Sequence, residues 1–253
     1  MCYDIKTHLE SQLGRAKRKG NWDALYEIIL KLERKTDLPL FHASGFEHPK
    51  LLIYTNESPD VPTISQWGLV PISAKAKEAI WNRTLNAKGA TLFQKAPFKN
   101  SAKRKRCIIH VDGFYEHHYH DSGKIPYFIS RKDRQPLSLA GLWNEWIDKT
   151  TGRVHHTFAI VTTDANAMME KIYNNPRTKG PRMPVIIPEE LEDEWLAGYD
   201  DKLVKQAIYR LIKPFPESEL QAHTVGKVRG EHSLGNVMEA NAFFEYEGIR
   251  AEY

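Results

Sequence analysis

Cysteine is nearly absent from this chain: Cys2 and Cys107 are the only two in 253 residues. One pair gives neither a disulfide framework nor the spaced thiol and imidazole sets of a zinc site, so no metal and no other cofactor is expected. Long apolar runs are lacking as well. Nothing approaches the roughly 20 residues that cross a bilayer, and no charged-then-apolar leader opens the chain. No membrane association is therefore expected, and the location expected is cytoplasmic, on the nucleoid in a bacterium. A Gly-, Ser- or Pro-rich linker and an internal repeat are both missing, which favours a single domain over residues 1–253. Charge of one sign is not strongly in excess either. The net +4 permits nucleic acid as a partner without requiring it, and nothing points to an obligate oligomer, so a monomer is expected.

What is present is a run of strands framed by helices. Residues from Thr7 to Lys35 have helical apolar spacing (Leu9, Leu13, Trp22, Leu25, Ile28, Ile29, Leu32), with a break at Gly20-Asn21. The cations beside that break, Arg15, Lys17, Arg18 and Lys19, read as a solvated helix end. Leu51 to Thr55, Ser65 to Pro71, Cys107 to Val111, Pro126 to Ser130, Leu137 to Trp143, Thr157 to Thr163 and Met183 to Pro188 read as strands. Short helices are expected over Lys75–Trp81, Asn166–Tyr173, Glu189–Leu196 and Lys202–Ile212. Strands in the middle with helices at both ends predict an α+β domain, its sheet curled, barrel-like and largely antiparallel, rather than a doubly wound fold.

Four places carry candidate chemistry. Removal of Met1 would leave Cys2 first, with an amine and a thiol on adjacent atoms. Their ordinary pKa values, about 7.7–8.0 and about 8.5, leave a useful fraction of each nucleophilic near neutrality. Such an aminothiol captures an aldehyde as an imine and closes it to a thiazolidine. Asn86-Ala-Lys88 sets an amide beside a cation. Asp112-Gly-Phe-Tyr-Glu116 ends an apolar strand in a carboxylate, where burial raises a pKa towards general-acid values. The fourth place runs from Ile172-Tyr173 to Arg182-Met-Pro. Each alone has a structural explanation: a frayed terminus, a turn amide, an exposed carboxylate, a surface cation.

Taken together and in order, they carry more. Met1-Cys2, Trp67-Gly-Leu-Val-Pro71, Asn86-Ala-Lys88, Cys107 to Glu116, Phe158 to Thr163 and Arg182-Met-Pro-Val-Ile-Ile187 resemble the SOS response-associated peptidase (SRAP) family over nearly the whole chain. The resemblance implies a SRAP-like fold with a basic groove, and a protein that binds single-stranded DNA bearing abasic sites. It implies a covalent link from Cys2 to the ring-opened aldehyde, which shields the lesion, and autopeptidase activity towards residues before the cysteine. Carried over by motif, Cys2 is the nucleophile, Asn86 holds the terminal amine and the sugar, and Glu116 is general acid and base. Lys88 and Arg182 hold flanking phosphates. Salt-dependent affinity and recognition by backbone and stacking are expected of such a groove, and the basic run Lys95 to Arg106 is consistent with it.

The departures are specific. The family opens Met-Cys-Gly-Arg, and here Tyr3-Asp4 replaces the last two, exchanging a phosphate-binding arginine for an anion. Ile72-Ser73 stand where an aromatic wedge is common, with Trp81 a nearby substitute; Ala90 replaces a glutamate. Tyr173 occupies the place of a histidine that helps ring opening and reversal. A phenol near pKa 10 is a poor proton shuttle at neutral pH, so slowed ring opening or reversal is expected unless His110, His117 or His118 substitutes. Two rival readings use the same residues: an N-terminal-nucleophile amidohydrolase built on Cys2, and a single-strand-binding module without catalysis.

Overall fold

The computed structural model describes residues 2–20, 22–121, 123–178 and 180–253, without the side chains of 23, 24, 27, 28 and 33. Met1, Asn21 and the apolar contribution of Ile28 therefore lie outside the described residues. Among the described residues no helix is long and apolar enough to cross a membrane.

Twelve strands and seven α-helices are described, in two sheets. The first sheet orders β12 (Leu220–Thr224), β8 (Gly123–Arg131), β7 (Gly113–His120), β1 (Asp4–Thr7) and β2 (Leu40–Ser44). The second runs β11 (Arg182–Pro184), β10 (Val154–Asp164), β4 (Ser58–Trp67), β3 (Lys50–Thr55), β6 (Arg106–Val111) and β9 (Leu137–Ile147). Because β9 also pairs with β10, the β10-β4-β3-β6-β9 ring closes on itself. Closure removes exposed strand edges, and the ladders are antiparallel apart from β10 with β4 and with β5 (Asn86–Lys88). The expected barrel-like, largely antiparallel α+β fold is observed.

The two sheets share one core. Ile5, Phe114, Ile125 and Tyr127 of the first sheet meet Leu51, Ile53, Ile109 and Phe158 of the second, all essentially inaccessible. Each such side chain stabilises the fold by roughly 1.5–3 kcal/mol relative to exposure. A second core lies on the other side of the ring, where α4 (Lys99–Arg104), α6 (Glu192–Leu196) and α7 (Val204–Leu211) cover Ile108, Ala140, Leu142 and Val161. Two motif glycines are fixed by close approach. A Cβ on Gly113 would meet the Ile129 carbonyl at 2.4 Å, and Gly68, with φ of +120°, would drive one into His48.

The sequence reading and the structure part company in several places. The expected Thr7–Lys35 helix is broken into α1 (Leu9–Gln12), α2 (Gly14–Arg18) and α3 (Trp22–Glu33), and is preceded by β1. Lys75–Trp81 forms turns rather than a helix, while β2 and β12 appear where no strand is expected. The cations near Gly20 are not all solvated. Arg15 is 2% exposed and, with Arg18, donates to the buried Glu192. Here burial of a carboxylate from α6 recruits cations that the sequence pattern assigns to solvent.

Candidate active site

Cys2 is wholly buried, not frayed. Its carbonyl oxygen accepts a 2.8 Å hydrogen bond from Asn86 Nδ2, and its thiol points towards the Asp4 carbonyl oxygen at 3.9 Å. Asn86 reaches it because β5 lies against β10, with Asn86 opposite Ile160. The oxygen of that side-chain amide, Oδ1, is buried and has no hydrogen-bond partner among the described residues. A buried acceptor left without a donor costs about 1–3 kcal/mol.

Glu116 arrives from the other side. Antiparallel pairing of β1 with β7 sets Asp4 opposite Tyr115, which brings Glu116 to the level of the first residues of the chain. The side chain is 4% exposed. Burial pushes its carboxyl up to about 7, although the His117 N–H donates to Oε1 at 3.2 Å and favours the charged form. Burial also pushes the Cys2 thiol well up, and the Glu116 charge adds to the rise. The Glu116 charge thus disfavours the Cys2 thiolate.

Tyr173 ends α5 (Ala167–Ile172), whose first turn is capped by Asn166 accepting from the Met169 N–H. It is 6% exposed; its phenol is held above its ordinary pKa first by burial and then by Glu116, with Thr178 and Asn175 nearby pulling it the other way. Glu116 and Tyr173 line a cavity of about 640 Å³ together with Tyr3, Asp4 and His117. The structure thus brings Cys2, Asn86, Glu116 and Tyr173 to one place.

The remaining expected residues divide. Lys88 is exposed at the end of β5, opposite Thr162, and Arg182 donates to the Thr162 carbonyl and hydroxyl. Both therefore flank one point of β10, outside the cavity lining. Trp81 lies stacked on His48 at 3.7 Å, with the Lys77 ammonium 4.8 Å from its ring centroid, and it does not line the cavity. Nor does the basic run. Arg106 is buried, donating to carbonyl oxygens of Ala102, Lys103 and Trp195, while Lys105 pairs with Glu145 and Arg104 with Asp201.

Of the three histidines weighed as substitutes at position 173, His110 is remote in function. It is wholly buried, and its Nε2 lies 3.1 Å from Glu192. His118 lies 3.1 Å from the Ile172 carbonyl through Nδ1. His117 alone of the three lines the cavity, and burial lowers its pKa to about 4, which leaves it neutral at pH 7 and a weak base. The participants that sequence reasoning missed are Tyr3 and three cations, Lys124, Lys227 and Arg229, which line the same cavity. The loss of arginine at position 4 was the one signal that pointed towards them.

Comparison with known proteins adds a separate line. A family model described as SOS response-associated peptidase (SRAP) matches residues 15–230. The chain is 34% identical over 164 residues to the Bacillus subtilis protein named abasic site processing protein YoqW, covering 64% of this chain and 68% of that one. It is 29% identical over 171 residues to the Gallus gallus abasic site processing protein HMCES, covering 59% and 48%. Among solved structures, a Bacteroides thetaiotaomicron protein superposes with a TM-score of 0.77 at 32% identity, over 90% of this chain and 93% of that one.

Proposed function

Because the chain belongs to the SOS response-associated peptidase family, we propose that it processes abasic sites in single-stranded DNA by joining Cys2 covalently to the lesion. Hydrolysis of the peptide between Met1 and Cys2, by methionine trimming or by the chain itself, frees the Cys2 amine. The amine adds to the C1 aldehyde of the ring-opened sugar, and the carbinolamine loses water to give an imine. The Cys2 sulfur then adds to the imine carbon while the thiol proton passes to nitrogen. One carbon–nitrogen and one carbon–sulfur bond form, the aldehyde oxygen leaves as water, and a thiazolidine remains.

The observation that carries this reading is Glu116, a buried carboxyl held near pH 7 beside a buried Cys2. A group half protonated at neutrality can give a proton to the departing hydroxyl and take one during sugar ring opening. The unpartnered Asn86 Oδ1 supports the rest: it is an acceptor waiting for the N–H of the freed amine or a sugar hydroxyl. Lys88 and Arg182, on either side of Thr162, hold phosphates flanking the lesion. Tyr173 donates a hydrogen bond to the sugar but moves protons slowly, so ring opening and reversal limit the rate.

The test is incubation of the mature protein with an abasic oligonucleotide, followed by a denaturing gel. A heat-stable adduct is expected from the parent and none from Cys2→Ala. Cys2→Ser is expected to give an imine that survives only after reduction. An adduct of undiminished stability in Cys2→Ala would overturn the mechanism. Intact mass of the protein before the reaction, expected to lack Met1, checks the first step.

A further inference from the structure

Asp4, the anion that stands two residues from Cys2, is not left alone. Its side chain is 3% exposed, and Oδ1 lies 3.0 Å from His42 Nε2, 2.8 Å from Arg229 Nε and 2.7 Å from Arg229 Nη2. The same Nη2 reaches the Ser44 hydroxyl at 3.2 Å, and the guanidinium lies 5.5 Å over the Phe46 ring. A residue 225 positions away is thereby locked against the strand that follows the nucleophile.

Neutralising a buried carboxylate accounts for one edge of that guanidinium. It does not account for the other. Nη1 has no hydrogen-bond partner among the described residues, the Arg229 side chain is 38% exposed, and it faces the cavity beside Cys2. A guanidinium presents five donors in a fixed fork, so one edge can hold a carboxylate while the other stays free for an incoming oxyanion. Lys124 and Lys227 line the same cavity and are tied together, the Lys227 ammonium donating to the Lys124 carbonyl oxygen. Three cations thus meet three carboxylates there. Of those, Asp4 is already paired, Glu116 is half neutral near pH 7, and Glu231 is exposed to solvent.

We infer that Arg229, locked in place by Asp4 and flanked by Lys124 and Lys227, is a phosphate-binding residue that seats a phosphodiester of the DNA strand beside Cys2. The anion at position 4 then serves as the anchor of a cation delivered from the far end of the chain. This inference rests on the DNA-directed reading above. It assigns a second set of phosphate contacts, apart from those proposed for Lys88 and Arg182.

The experiment compares the parent with Arg229→Ala, with the charge-balanced pair Asp4→Asn/Arg229→Gln, and with Lys227→Gln, which leaves Asp4 untouched. Two substrates are used, an abasic oligonucleotide and free 2-deoxyribose, which offers the aldehyde without phosphate. Affinity for undamaged single-stranded DNA is measured against salt. Expected is a loss of crosslinking rate on abasic DNA that exceeds the loss on 2-deoxyribose by about tenfold, the effect of one charge-assisted contact. The salt slope is expected to fall by about 0.7 for each cation removed. Equal losses on the two substrates, with an unchanged slope, would show that Arg229 only props β1, and would overturn the inference. If the parent forms no adduct with either substrate while the slope still falls in the variants, the phosphate contact stands and the crosslinking reading fails.

Discussion

Two buried glutamates, Glu116 and Glu192, have side chains of the same chemistry and nearly the same exposure, 4% and 1%. Their surroundings drive them in opposite directions. Glu192 of α6 is pushed up by burial but pulled far below the usual carboxylate range by its donors. Oε1 accepts from His110 Nε2, Ser138 Oγ and Arg18 Nη2 at 3.1, 2.6 and 2.6 Å, and Oε2 accepts from Arg15 Nη1 at 2.8 Å. Glu116 of β7 has burial as its largest influence, and the groups that favour its charge, the His117 N–H donating to Oε1 at 3.2 Å among them, offset that burial only in part. A carboxylate with four donors is a permanent anion that welds the helices to the barrel. A carboxyl whose burial outweighs the groups favouring its charge is held near its protonation midpoint at neutral pH. The lesson is that burial alone makes neither a site nor a strut; its balance against the groups that favour the charge decides.

The comparison can be broken at its stronger end first. Glu192→Ala strands Arg15 and His110 in the interior, and an unfolding free energy lower by about 3–5 kcal/mol is expected from urea titration. Crosslinking at temperatures where the variant stays folded is expected to persist. A loss below 1 kcal/mol would show that the network is ornamental.

Glu116→Gln acts on chemistry instead. Removing the acid and base is expected to slow adduct formation about 10²-fold. It should also alter the pH profile of stability in a definite sense. A folded pKa of about 7 lies above the ordinary 4.5, so the stability contributed by Glu116 is complete below pH 4.5 and is lost as pH rises through 7. The total is about 3 kcal/mol at the usual conversion. Glu192 has the opposite sign: its contribution is complete above pH 4.5 and is lost as pH falls towards its depressed pKa. Urea midpoints should therefore be highest between these limits in the parent, and Glu116→Gln should flatten the alkaline side only. A variant that keeps the parent's alkaline slope would remove Glu116 from the account.

The smallest expected effect is at position 173. Tyr173→His restores a proton carrier opposite Glu116, and adduct reversal is expected to quicken by up to about tenfold, read from release of intact oligonucleotide on dilution. If reversal is unchanged, His117 or Glu116 alone carries the proton and the tyrosine is a packing residue.

Much of the frame was legible. Cys107-Ile-Ile-His-Val, Leu137 to Trp143 and Thr157 to Thr163 are apolar runs of strand length, and they form β6, β9 and β10. The short strands β1 and β2 were not legible, because β1 is four residues long and Leu40-Phe-His-Ala-Ser does not alternate; Leu220-Gln-Ala-His-Thr does alternate, buried and half-buried in turn, so β12 lay within reach of the pattern. The short helix expected at Lys75–Trp81 gives way to turns, and Trp81 packs on His48 from the start of the 3-10 helix Trp81–Arg83. In the site, Cys2, Asn86, Glu116 and Tyr173 could be named from their motifs. Arg229 could not, since only the chain's path brings it to Asp4.

By itself, then, the sequence determined the inventory: an aminothiol once Met1 is gone, a carboxyl on a strand end, and a phenol in place of an imidazole. It determined the strands as well, since side-chain pattern is local. Only the tertiary structure decided the state of each group. Protonation and reach depend on desolvation and on donors from remote segments, and those are set by what packs against a residue. That is why one buried glutamate is a strut and the other a titrating acid, and why the anion beside Cys2 ends up holding a cation.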